Sequence, residues 1–530
     1  MSDSSESSLT YRRIRAPRNH GEVLHLPAAD QWTASWNSNV AIQFNEAKFE
    51  TDNLVDVRKS SRQEIVEVAI HFTKQYRDTD NHLDSNSFFE IVMSGHQPSL
   101  FHPGVWYKNF ILDKLGKQFN CIAINLVVDN DVPATTQVHL PIQSKQNRVQ
   151  LKRIPFDANG PALPYENKPI ADQNLFRGFA KRAAKEIEPL VTDPIVQRLW
   201  PYVLDNNDGN LGMALSKGRH RLEQDFGLQT LELPISVVAQ TNSFVKFTWE
   251  ILQRHSELQQ IYNSVIADYR QIHKIKNTAQ PIPELESKEG WIETPFWIWD
   301  KTSPNRKSLY ARKNNGVLKI SDSRMIHEII EFKAKENFHQ CIADRRICIR
   351  PKALMTTMFS RLIASDLFIH GIGGSKYDQL TDEIATRFFQ VSLPDYLTTS
   401  GTFMLQKTTQ PISPAAISTQ RNLIRQIEFH PEKFIEKPTD DASHWINEKR
   451  QSISQELPAG KRLARHLSIN QANQHLSKHV SNIVNQQQQL LQQMIEQSPN
   501  SKILNSREFS FCLYDQSLMA ELIQLADRKF

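Results

Sequence analysis

FFEIVMSGHQPSLFHPGVWYKNFILDKLGKQFNCIAINLVVDND, residues 88–131, is the stretch that decides the fold class. Its hydrophobic period switches twice. FFEIVMSG is an apolar run ending at Gly95, the pattern of a strand covered on both faces. VWYKNFILDKLGKQF then places Trp106, Phe110 and Leu115 at helical spacing. CIAINLVV returns to an unbroken apolar run and exits into Asp129-Asn130-Asp131. Strand, loop, helix and strand in that order make a βαβ unit, so the two strands should be parallel neighbours.

Working outward, residues 61–76 hold Ile65, Val66, Val68, Ala69 and Phe72 at helical spacing. Residues 171 to about 280 read as mainly helical, closed by PIPEL at 281–285. WIETPFWIWD and SLYARKNNGVLKI have strand composition, with Asn-Asn-Gly as the turn. A helix is expected over 323–337, then RICIRP as a strand and PKALMTTMFSRLIA as a helix opened by its proline. DLFIHGIGG reads as a strand running into a glycine loop before the helix SKYDQLTDEIATRFF. Near the C-terminal end Ile469, Leu476, Ile483 and Leu490 recur every seven residues, a coiled-coil or long helical-hairpin signal.

At 530 residues, with 39% hydrophobic and 23% charged residues, the chain can build several buried cores. A net charge of +5, from 63 basic and 58 acidic residues, is too small for a dedicated nucleic-acid binder and permits an anionic small ligand. Cys121, Cys341, Cys348 and Cys512 form no CxxC pair and suit reduced thiols. The first residues lack a signal-peptide pattern, and no apolar run is long enough to span a bilayer. A cytoplasmic protein without a membrane partner is the expectation.

Three strand exits carry the chemistry. The loop 94–104 sits where a parallel strand meets its helix, the edge at which open α/β sheets bind ligands. There His96 and His102 could act as acid and base or stabilise an anion. Gln97 could orient a carbonyl or ribose, and Lys108 could supply charge. The plain alternative is that His102 caps the helix and His96 satisfies backbone. Asp129 and Asp131 could hold Mg²⁺, a ribose or an amine, or merely close a strand. His370, Gly371, Gly373, Gly374 and Lys376 could cradle a phosphate or carboxylate, with Ser375 and Asp378 as a capping box in the plain alternative. The basic stretch YRRIRAPRNHG is either a solvated arm or brings Arg12, Arg13, Arg15 or Arg18 over an anion site. The tryptophans of WIETPFWIWD read as core or interface before they read as a stacking wall. His475 and His479 are an i,i+4 pair on a polar helix, and no zinc spacing is present.

GHQPSLFHPGVWYKN followed by a hydrophobic strand ending in DND resembles the bacillithiol-synthesis cysteine-adding enzymes. Gly95, Gln97, Leu100 and Phe101 match that family's first loop, and Asp129 and Asp131 approximate its acidic strand end. The run HQPSLF is also similar to the WbqC-like proteins of surface-polysaccharide clusters. The first resemblance implies an α/β protein with a Rossmann-like, mainly parallel sheet, a helical insertion, and a C-terminal helical or coiled-coil region. It implies a ligase or transferase that joins an amine or thiol compound to a small anionic substrate. ATP or another nucleotide, with Mg²⁺, is the cofactor such chemistry would draw on. The segments expected are an arm and helix at 1–85, α/β parts at 86–170 and 286–400, a helical insertion at 171–285, and a helical region at 401–530 that could dimerise through 466–497. The rival expectation is a non-catalytic ligand-binding scaffold dimerising through that coiled coil.

Overall fold

The computed structural model describes residues 9–42, 44, 48–49, 52–79, 89–143, 149–322, 330–344, 347–405, 412–454 and 462–528. The chain is mixed α/β and divides into two compact units. One comprises residues 1–140, 153–405 and 507–530, the other 141–152 and 406–506.

The first unit is built on a six-stranded sheet. Its strands are β1 (Glu22–Leu26), β2 (Ile91–His96), β3 (Ile122–Val127), β4 (Leu231–Pro234), β5 (Leu367–His370) and β6 (Tyr396–Thr402). They lie side by side as β1-β6-β5-β2-β3-β4. The five strands from β6 to β4 are parallel and β1 pairs antiparallel to β6. The expected parallel βαβ unit is therefore present: β2 and β3 pair from Ile91↔Ile122 to His96↔Val127. Chain order reverses direction between β2 and β5, so their carboxyl ends diverge into a crevice.

Helices cover the sheet because their apolar stripes need it. In α1 (Leu54–Lys74), Ile65, Val66 and Ala69 are fully buried against a core that includes Ile91, Met93, Ile124 and Leu126. Asp366 pins this layer. Its carboxylate accepts both terminal nitrogens of Arg62 at 2.9 and 2.6 Å and the Ile91 amide at 2.9 Å. On α2 (Pro103–Phe119), Trp106 and Asn109 donate to Glu223 of α3 (Leu211–Gln224). Arg219 of α3 joins Glu223 to Glu232 of β4.

Two segments depart from the expected pattern. The stretch read as a helical insertion contributes LELP, Leu231–Pro234, to the main sheet; four buried residues are too short a run to break a helical reading of the flanks. Strands between residues 287 and 351 form a separate antiparallel sheet, among them Trp291–Asp300, Ser303–Asn314, Val317–Asp322 and Ile347–Pro351. The Asn-Asn-Gly turn is as read, with Asn315 and Gly316 both at positive φ. Of the helix expected over 323–337, residues 323–329 lie outside the described residues. The rest is a strand at Ile330–Phe332 and the start of a helix at Lys335–Ala343. The tryptophan stripe is largely buried, as expected, and each ring carries a cation: Arg312 over Trp291, Arg306 and Lys352 over Trp297, Arg350 over Trp299.

α4 (Ile372–Phe389) follows β5 directly. In the second unit, α5 (Pro414–Phe429) and α6 (Asp440–Ser454) accompany α7, a 43-residue helix from Arg462 to Leu504. Of the seven-residue stripe, Leu476 is buried and clusters with Ala442 and Ile446 of α6, Ile469 and Ile483 are half-buried, and Leu490 is exposed. The helical-hairpin alternative accounts for that part of the stripe. Among the described residues no helix is long and apolar enough to cross a membrane.

Candidate functional site

The carboxyl ends of β2, β3 and β5 open into one cleft of about 870 Å³ within the first unit. His96, Gln97, His102, Lys108, Asp131, His370, Gly371, Gly373, Gly374 and Lys376 all line it. Of the eleven residues nominated at the three strand exits, Asp129 alone lies off its wall.

His102 is the N-cap of α2: its Nδ1 accepts from the Gly104 amide at 3.1 Å, with Pro103 at the first helical position. A nitrogen that accepts is unprotonated, so the cap itself requires the neutral ring. Burial, with Arg507 and Lys108 nearby, lowers its pKa to about 4. His96 faces the same wall, edge-on to Phe101. Its Nδ1 meets the Gln97 carbonyl oxygen at 3.1 Å, and a carbonyl can only accept, so Nδ1 carries the hydrogen and Nε2 the lone pair. Burial, then Lys108, lowers its pKa to about 3.

Lys108 reaches back from α2 and donates to the Gly95 carbonyl at 2.7 Å. It is only 3% exposed. Burial, then the charge of Arg219, lowers its pKa to about 7.

The two carboxylates after β3 part company. Asp129 is fully buried and accepts from the amide and hydroxyl of Ser236, which closes the β3 exit over β4. Burial, reinforced by Glu166, raises its pKa to about 7. Asp131 accepts from Gln97 Nε2 at 2.8 Å and from Arg306 at 2.7 Å. Asn130 holds the intervening turn by donating to the Pro351 carbonyl. Both carboxylates are thus engaged by their own chain and poorly suited to Mg²⁺, which needs open oxygen positions and room for its waters. Among the described residues no group of three or more potential ligands could hold a metal ion.

The third exit differs from a glycine loop. α4 starts at Ile372 with Gly371 as an N-cap that makes no side-chain cap bond, so Gly373 and Gly374 lie in its first turn. His370 Nε2 donates to Asp378 at 2.8 Å, and Asp378 also accepts from Arg361 at 2.6 Å. Arg361, then His370, holds the Asp378 carboxyl well below its usual range despite burial. The capping box is not formed: Ser375 lies inside the helix and accepts from Thr398, while Asp378 orients the histidine. Gly374 is needed because a Cβ there would stand 2.7 Å from His370 Nδ1.

Two further cations complete the wall. Arg15 comes from the N-terminal basic stretch, so one of its four arginines does reach the site. Arg507 donates to Ser400 at 3.0 Å and Thr402 at 3.2 Å beside the start of α2. Its place on the wall was not legible, because about 400 residues separate it from the loop it adjoins; its only sequence signal is the apolar FSFCLY run that anchors it. Thr356 and Thr357 also line the cleft and carried no signal. The lining cations are Arg15, Lys108, Lys376 and Arg507, against Asp131, already paired with Arg306, and Glu508, beside Arg507. With the N-termini of α2 and α4 at the same edge, the cleft favours an anion. No protein-family model matches the chain and no curated protein matches it.

Proposed function

We propose that this cleft binds a small anionic substrate and that the protein is a ligase- or transferase-type enzyme joining it to an amine or thiol compound. The observation that carries the proposal is convergence. Three cations, the buried Lys108, three histidines and two helix N-termini meet in one cleft at the point where strand order reverses. Counted along the chain, the parallel strands run 3-2-1-4-5 across the sheet, which supports a Rossmann-like reading. Arg15, Lys376 and Arg507 hold the anion, and the uncapped start of α4 offers its amides to a carboxylate or to the phosphates of a nucleotide. His96, with its lone pair on Nε2, takes the proton from the incoming amine or thiol. Gln97 and Asp131 position that partner.

One observation favours binding without chemistry: the Nδ1 of His102 is occupied by its capping bond. A thermal-shift panel of inorganic phosphate, sugar phosphates, amino acids and nucleotides separates the ideas. Anions should raise the melting temperature, and His96→Ala and Lys376→Ala should weaken that rise. An unchanged shift in both variants removes those residues from the site. Binding with no product formed from any amine or thiol tried supports the non-catalytic reading.

A further inference from the structure

Four buried arginines of the first unit each meet a carboxylate: Arg62 meets Asp366, Arg219 meets Glu223, Arg350 meets Glu166, and Arg361 meets Asp378. Lys108 is as deeply buried and differs. Among the described residues it forms no ion pair, and its hydrogen bond goes to a neutral carbonyl, that of Gly95. It also stands on the wall of a cleft, not in closed core, and Gly371 of the opposite strand exit leaves room beside its aliphatic stem. The charge that bears on it directly, Arg219, is of its own sign. Arg15, Lys376 and Arg507 line the same wall, where the two carboxylates, Asp131 and Glu508, lie against Arg306 and Arg507, and α2 and α4 begin there. A buried ammonium without a counter-ion, in a field of other cations, is destabilised relative to the free amine. This is the setting in which a lysine becomes a nucleophile at neutral pH.

We propose that Lys108 is a nucleophilic amine that forms an imine with an anionic carbonyl compound, a 2-oxo carboxylate or a phosphorylated aldehyde, held in this cleft. The inference uses the anion-binding character proposed above but not the joining reaction. The step balances without a further reagent. The ammonium gives up one proton, Nζ forms a bond to the carbonyl carbon, and the oxygen becomes a hydroxyl. The hydroxyl takes a proton and departs as water, leaving a protonated imine; ammonium plus carbonyl becomes iminium plus water. His96 Nε2, the ring lone pair at the same exit, is the group suited to carry the proton between nitrogen and oxygen. Arg15, Lys376 and Arg507 hold the substrate's carboxylate or phosphate, while burial and the charge of Arg219 disfavour the ammonium.

The test needs no knowledge of the natural substrate. The full chain is incubated separately with glyoxylate, pyruvate and pyridoxal 5′-phosphate, reduced with borohydride, and mapped by peptide mass spectrometry. The expected result is a reduced adduct on Lys108 at carbonyl concentrations that leave exposed lysines unmodified, suppressed at least tenfold by excess inorganic phosphate. Lys108→Arg should lose the adduct yet keep a phosphate-induced thermal shift. Because the mapping is done on the unaltered protein, it stands even where a variant fails to fold. Adducts confined to exposed lysines, or to Lys376, overturn the proposal while a phosphate shift leaves the anion cleft intact. Absence of any phosphate, carboxylate or nucleotide shift removes the anion cleft as well.

Discussion

At Gly374 a single added carbon would sit 2.7 Å from the ring of His370, whose Nε2 is already fixed on Asp378. Gly374→Ala must therefore turn the ring or shift the first turn of α4, an overpacking cost of roughly 1–3 kcal/mol. One residue earlier nothing lies within 4 Å, so Gly373→Ala should be neutral or slightly stabilising, by about 0.5–1 kcal/mol, because alanine is the better helix former. Urea denaturation of the two variants checks the contrast; equal destabilisation would mean that His370 is not held as described. The sequence showed glycines beside a histidine but not why, because the reason is the direction of the ring. His102 gives a second contrast. His102→Ala removes the cap of α2 and should cost about 1 kcal/mol, whereas His102→Asn, which can still accept from the Gly104 amide, should recover most of it. Of the alternatives read for His102 the capping one is seen, and the same ring lines the cleft.

Elements were legible where one period governed a segment. The βαβ unit stood out because an apolar run, a helical stripe and another apolar run follow each other within residues 88–131, and β2, α2 and β3 fall there. β4 was missed because its four residues carry no period of their own, and its strand pairing is set by the partner β3. What ties elements together was equally hidden, since it is long-range. Asp366 receives two guanidinium nitrogens of Arg62 and lies 3.6 Å from Arg58. Asp366→Ala leaves both arginines buried without that carboxylate and should cost about 3–5 kcal/mol, read as a lowered urea midpoint. In α7 the seven-residue stripe predicts unequal effects. Leu476, fully buried, should cost about 2–5 kcal/mol as alanine, while Leu467, 59% exposed, should change the second unit's stability by less than about 0.5 kcal/mol. A cost at Leu467 comparable to that at Leu476 would mean that a second copy or another chain covers it.

For the whole molecule, the sequence could name chemistry-bearing residues but could only guess which of them converge. Ten of the eleven residues nominated at the strand exits share one cleft because strand exits in a parallel sheet all face the same edge. Arg15 and Arg507 come to that edge from the two ends of the chain. Burying neutral imidazoles, two on the cleft wall and His25 on β1, has a consequence for stability against pH. His25, His96 and His102 are held neutral, with pKa values of about 4, 3 and 4, chiefly by burial. In the unfolded chain each takes up its proton near pH 6.5. Between about pH 6.5 and 4 these three groups therefore bind more protons in the unfolded state and lower stability as the pH drops, while Asp129, raised to about 7 by burial, acts in the opposite direction. Each fully shifted histidine contributes a slope of about 1.4 kcal/mol per pH unit in that window. Lys108 acts at the alkaline end, where its folded pKa of about 7 lies below the ordinary lysine value. From about pH 7 to 10 the unfolded chain keeps a proton that the folded chain has lost, so stability rises with pH until the unfolded lysine also deprotonates. Urea midpoints from pH 4 to 10 should show both limbs. His96→Gln should shallow the acid limb, and Lys108→Met should flatten the alkaline rise while raising stability most at and below pH 7. An alkaline rise unchanged in Lys108→Met would mean that the lysine is protonated in the fold, and its ammonium would then require an anionic counter-charge in the cleft.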